Sequence, residues 1–153
     1  MSLIDVLLFE KFERKPTSFW EVLKETLTMP KALKQQKALY KQMCLTCEGG
    51  VDADEMPNGI GEFGTTLSNP IPCKTIFGSR AYLSSLRTAD GLAVVYTRVG
   101  HNYSKEVTPH PIDCYQISNL NGAHLATLYL SPYQKRVSRK APKGFLLHGV
   151  EFS

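Results

Sequence analysis

Ile112-Asp113-Cys114-Tyr115-Gln116-Ile117-Ser118-Asn119-Leu120-Asn121-Gly122-Ala123-His124-Leu125-Ala126-Thr127-Leu128-Tyr129-Leu130 is the stretch whose reading decides the fold. Ile112 to Ile117 and His124 to Leu130 mix aliphatic, aromatic and β-branched residues. Asn121-Gly122 lies between them, and this dipeptide tolerates the positive φ angles that a tight hairpin turn demands. Upstream, Leu92 to Val99 follows Asp90-Gly91 and has the same strand-forming composition. Downstream, Gly144 to Phe152 offers a fourth strand, with Phe145, Leu147 and Val150 turned inward. The spacing predicts a four-stranded antiparallel meander.

Helical signals precede the strands. Ser18 followed by Glu21 has the form of a capping box, and Phe19, Val22, Leu23, Thr26 and Leu27 recur at the helical period up to Pro30. Proline is tolerated in the first turn of a helix, so Lys31 to Cys47 reads as a second helix, with Leu33, Gln36, Tyr40, Met43 and Cys47 on one face. Lys31, Lys34, Lys37 and Lys41 make this helix basic. A short helix is expected over Ser79 to Arg87, with Tyr82, Leu83 and Leu86 on one side. Between these helices, residues 48–69 combine five glycines with Glu48, Asp52, Asp54, Glu55 and Glu62 and no Lys or Arg, which is loop composition. Asn69-Pro70-Ile71-Pro72 then holds the chain extended. The expectation is an α+β fold in one domain: a helical segment over residues 1–48, a Gly-rich acidic loop over 49–72, and a core over 73–153. In it the N-terminal helices and the short helix pack on one face of the sheet.

Composition bounds the function classes. The chain has 153 residues, 42% of them hydrophobic and 21% charged, with 18 Lys and Arg against 14 Asp and Glu. A chain of this length buries roughly two thirds of its unfolded surface, so it needs no disulfide framework to hold a core. Collagen-like, low-complexity and wholly disordered classes are excluded. Met1 to Phe9 is apolar but lacks a basic leader, and no other window approaches the ~20 apolar residues of a membrane span. Four cysteines in no dense pattern point to a reducing cytoplasm.

Each chemical motif is weighed against its context. Cys44-Leu45-Thr46-Cys47 has the spacing for a metal or redox dithiol, but no second cysteine pair accompanies it to complete a zinc site. Gly59-Ile60-Gly61-Glu62-Phe63-Gly64 spells a dinucleotide fingerprint, yet it lacks the strand before it and the helix after it that would bring a pyrophosphate to a helix N-terminus. Asp52, Asp54 and Asn58-Gly59 fail as a calcium loop, because Met56, Pro57 and Phe63 occupy positions that need a ligand, a glycine and a glutamate. No cofactor is expected.

Charge is most uneven over Gln134 to Lys143. Lys135, Arg136, Arg139, Lys140 and Lys143 occur there with no acid, next to Tyr129 and Tyr133, and the rest of the chain is close to neutral. Cations beside aromatics neutralise phosphates and stack bases, the requirement for binding single-stranded RNA. His101, His110 and His124 add acid–base groups that an RNA-cleaving site would use, His101 first among them. The alternative is a solvated basic loop. Phe19, Trp20, Val22, Leu23 and Leu27 form an aromatic-rich face that serves either the core or a partner protein.

Gly61-Glu62-Phe63-Gly64 through Asn69-Pro70-Ile71-Pro72, Tyr82-Leu83-Ser84-Ser85-Leu86-Arg87, Leu128 to Tyr133 and Ser138 to Phe145 resemble a group of uncharacterised bacterial proteins. The resemblance spans residues 60–146 and implies no activity or functional residue. With no coherent catalytic constellation, the sequence reads as a non-enzymatic binding or interaction module. Its expected partner is another protein or a second copy. RNA binding through Lys135 to Lys143 is the alternative, and a small zinc protein built on Cys44 and Cys47 is the third reading.

Overall fold

A computed structural model describes residues 31–149. Among them the chain forms two helices, α1 (Lys31–Thr46) and α2 (Thr75–Ser85), and six strands: β1 (Ile71–Pro72), β2 (Leu86–Thr88), β3 (Val95–Asn102), β4 (Ile112–Ser118), β5 (His124–Ser131) and β6 (Phe145–Leu147). The fold is α+β. The helix expected after Ser18 lies outside the described residues.

The expected strands at 112–117 and 124–130 form as β4 and β5, antiparallel, with Tyr115 opposite Leu128 and Ile117 opposite Ala126. Their loop is organised by Asn119 as well as by Asn121-Gly122. The Asn119 Oδ1 accepts the backbone N–H groups of Asn121 at 3.0 Å and Ala123 at 2.9 Å, and the N–H of Gly122 donates to the Asn119 carbonyl at 3.0 Å. β3 pairs antiparallel with β4 on its other side, and a register shift between Arg98 and Gly100 marks a bulge there.

The four-stranded antiparallel sheet of the sequence reading requires correction: the four-stranded sheet is mixed, in the order β1-β5-β4-β3. Its fourth strand is Ile71–Pro72, running parallel to β5 with Ile71 opposite Leu130. Proline donates no ladder hydrogen bond, so Pro70 and Pro72 restrict this strand to a short edge position. The stretch expected as a fourth strand contributes β6 instead, which pairs antiparallel with β2 in a separate two-stranded sheet. Positions beyond 149 in that stretch are outside the described residues.

α2 starts four residues before the expected Ser79 and ends at Ser85, where Leu86 turns straight into β2. No side chain caps its N-terminus. Backbone bonds to the distant segment set the start instead: the N–H groups of Cys73 and Thr75 donate to the carbonyls of Ser131 at 2.9 Å and Pro132 at 2.8 Å. Tyr82 and Leu83 of α2 join Ile71, Leu86, Tyr115, Ile117, Leu128, Leu130 and Leu147 in the core. Burying each such aliphatic side chain contributes about 1.5–3 kcal/mol.

The chain falls into two compact units, Met1–Met43 and Cys44–Ser153. The second holds both sheets, α2 and the site described next. No helix among the described residues is long and apolar enough to cross a membrane.

Candidate functional site

The basic run and the acidic loop, two separate charge patterns in the sequence, lie against each other in the structure. Residues 47–55 run alongside residues 132–140, and backbone geometry brings them together first. The N–H of Lys135 donates to the Val51 carbonyl at 2.9 Å, while the N–H of Val51 donates to the Gln134 Oε1 at 2.8 Å. Gln134 is buried, and its Nε2 donates to the Ser131 Oγ at 2.9 Å, so its amide is used at both ends. Gly50 allows the approach. A Cβ there would collide with the Tyr133 carbonyl oxygen and the Gln134 backbone.

Charge then locks the two segments. Arg136 reaches Asp52 through Nε at 2.7 Å and Asp54 through a terminal nitrogen at 2.6 Å. The same Asp54 carboxylate accepts the backbone N–H of Arg139 at 2.8 Å, and its carbonyl accepts the Ser138 hydroxyl at 2.7 Å. Lys140 pairs with Glu55 at 2.5 Å and lies over the Phe63 ring, 5.1 Å from its centre. Donation from the Arg136 guanidinium, followed by that from the Arg139 amide, holds the Asp54 carboxyl below the usual carboxylate range. The Arg136 guanidinium is pushed the other way by the Asp54 hydrogen bond. Tyr82 ties this clasp to α2 by donating its hydroxyl proton to the Lys140 carbonyl at 2.6 Å.

The candidate RNA-binding residues therefore divide. Arg136 and Lys140 are engaged by carboxylates, whereas Lys135, Arg139 and Lys143 have exposed side chains. Tyr133 stacks on His110, with ring centres 4.4 Å apart and planes 20° from parallel. Tyr129 is half-buried in β5 opposite Cys114. His101 is on β3 opposite Asp113, its ring edge-on to Tyr103 at 5.7 Å, and His124 begins β5. His110 and Tyr133 are brought together by the fold; His101 belongs to the outer strand of the sheet.

Cys44 and Cys47 lie where α1 ends. The buried Cys47 thiol donates to the Pro132 carbonyl at 3.4 Å, which anchors the start of the clasp. Cys44 is half-buried, and together with Cys47, Glu48, Lys74 and Lys135 it lines an open depression of about 420 Å³. Among the described residues, no group of three or more His, Cys, Asp or Glu side chains is placed to hold a metal ion. The sequence reading missed Asp52, Asp54 and Glu55 as partners of the basic run, and Lys74 as a neighbour of the dithiol. The matched opposite charges of the two runs were the signal for the first; nothing local signals the second.

The sheet's two edges differ. On the β5 side, β1 and the carbonyl of Gly64, which accepts the Tyr129 N–H at 2.8 Å, continue the backbone pairing. On the other side β3 pairs with β4 and with no further strand among the described residues. Tyr96 and Arg98 of β3 turn toward the core side, meeting the Tyr115 ring edge-on at 6.2 Å and Asp113 at 3.0 Å. Val95 and Val99 are left 49% and 52% exposed.

No family model, no curated protein and no solved structure matches the chain.

Proposed function

We propose that the chain is a non-enzymatic interaction module that associates through the open edge of its sheet, with a second copy of the same chain as the occupant. One observation carries this reading. β3 is 8 residues long, has no outer neighbour among the described residues, and exposes Val95 and Val99. Natural sheets usually blunt such an edge with lysine, proline or brevity, because its unpaired N–H and C=O groups invite another strand. β3 carries neither lysine nor proline, and the Val99-Gly100 bulge is the blunting device within the strand itself. Its only arginine, Arg98, is paired with Asp113, so a two-fold antiparallel pairing of β3 with itself opposes no uncompensated like charges.

Sedimentation equilibrium of the full chain tests the reading. A concentration-dependent dimer is expected, and Val95→Lys combined with Val99→Lys is expected to return it to monomer with an unchanged far-UV spectrum. A wild-type chain that stays monomeric across the micromolar range, or a dimer indifferent to both lysines, overturns it.

Contact with single-stranded RNA is the second reading, supported by the exposed Lys135, Arg139 and Lys143 beside the clasp. Binding that falls steeply between about 50 and 200 mM salt, with a slope flattened by neutralising those three residues, is its signature. Cysteine usage supports a cytoplasmic setting. The likeness of residues 60–146 to uncharacterised bacterial proteins supports a bacterial origin and adds no activity.

A further inference from the structure

We infer that Cys44 and Cys47 form a dithiol switch that is oxidised by small, carboxylate-bearing disulfides entering the depression beside Lys74 and Lys135. This goes beyond the edge-pairing reading and does not depend on it. The N–H of Cys47 donates to the Cys44 carbonyl at 3.1 Å, closing a four-residue turn. This is the last turn of α1, where residues three apart have Cα atoms about 5 Å from each other, and a disulfide bridges Cα separations of about 4.4–6.8 Å. No disulfide joins the described cysteines, and the turn keeps this pair within bridging reach.

The two thiols have unequal access, which sets their order of reaction. Cys44 is half-buried and faces the depression, whereas Cys47 is 2% exposed and hydrogen-bonded to the Pro132 carbonyl. The Cys44 thiolate attacks one sulfur of the incoming disulfide, forming a mixed disulfide and expelling the first thiolate. The Cys47 thiolate then attacks the Cys44 Sγ, forming the Cys44–Cys47 bond and expelling the second. Two electrons pass to the small disulfide, and the two protein thiol protons end on the released thiols or in water. Exposed Lys74 and Lys135 outnumber Glu48 at the depression, so its charge favours an anionic reagent over a neutral one.

The remaining cysteines are internal controls. Cys73 is fully buried, and burial pushes its thiol up to about 12; Cys114 is half-buried in β4 and raised by the same cause. Oxidation would also withdraw the Cys47 hydrogen from the Pro132 carbonyl, removing the first hydrogen bond of the clasp. A transient, sensing disulfide is the kind that a reducing compartment permits.

The test exposes the full reduced chain to oxidised glutathione and maps the products by mass spectrometry. A Cys44–Cys47 bond that reduced glutathione reverses is expected. Cys47→Ser, whose hydroxyl keeps a donor for Pro132, should trap a glutathione adduct on Cys44, and Cys44→Ser should abolish rapid reaction. Lys74→Glu with Lys135→Glu should slow oxidised glutathione about tenfold while leaving neutral hydroxyethyl disulfide within about twofold. The inference is overturned by failure of the bond to form, by Cys73 or Cys114 reacting first, or by equal effects of the lysine changes on both reagents.

Discussion

The two flanks of the β4–β5 pair solve the same problem in opposite ways. Beside β5, the chain covers the backbone with a parallel strand and a glycine carbonyl, and just past the end of β5 it adds a buried glutamine and a network of ion pairs. Beside β3 it invests none of these among the described residues, and leaves two valines in water. A covered edge is consumed by folding. An open one of this length keeps its backbone groups unpaired by any strand among the described residues, and it is the edge that the proposed self-association would use.

Breaking the covered flank should cost the most. Ile71→Ala removes a fully buried side chain from β1, and a loss of about 2–5 kcal/mol is expected in urea titration. Gly64→Ala comes next: its φ is +79°, and a Cβ would stand 3.0 Å from Ile71 and 3.1 Å from Pro142. Left-handed backbone costs an L-residue about 1–2 kcal/mol and crowding adds to that, so about 2 kcal/mol is expected from the same measurement.

The clasp should respond to acid. The Asp54 carboxyl is depressed in the folded chain, so its contribution is present above the usual carboxylate range and is lost as pH falls through the lower folded value. Denaturation midpoints of the wild type should drop below about pH 4, and Asp54→Asn should remove part of that drop while costing about 1 kcal/mol at neutral pH. The smallest effect on stability belongs to the open flank. Val99→Lys should change unfolding by no more than about 0.5 kcal/mol yet weaken self-association, which calorimetric dilution reads directly.

Legibility in the sequence followed the range of the interaction. Lys31–Thr46, Ile112–Ser118 and His124–Ser131 carry their own periodicity and turn residues, and the sequence reading located them within a residue or so. β1 has only two residues, one of them a proline, and β2 and β6 have three each, too few for any pattern to register. Their pairing comes from tertiary contact. The clasp was half legible: both charge runs stood out, but Asp54 and Arg136 lie 82 positions apart and nothing local joins them. Lys74 and the dithiol line one depression for a similar reason: Lys74 is placed there by its bridge to Tyr133, which no local pattern signals.

The pairing of Ile71 with Leu130, together with the run of bonds from 47–55 to 132–140, also fixes an order of events during synthesis. Everything from the dithiol to β1 emerges from the ribosome before the segment that completes it exists. The β3–β4–β5 hairpins can close on neighbouring residues as they appear. The earlier half of this unit must wait for positions 130–140 to clear the exit tunnel, so Asp54 meets its partner only when a residue 82 positions later has been translated.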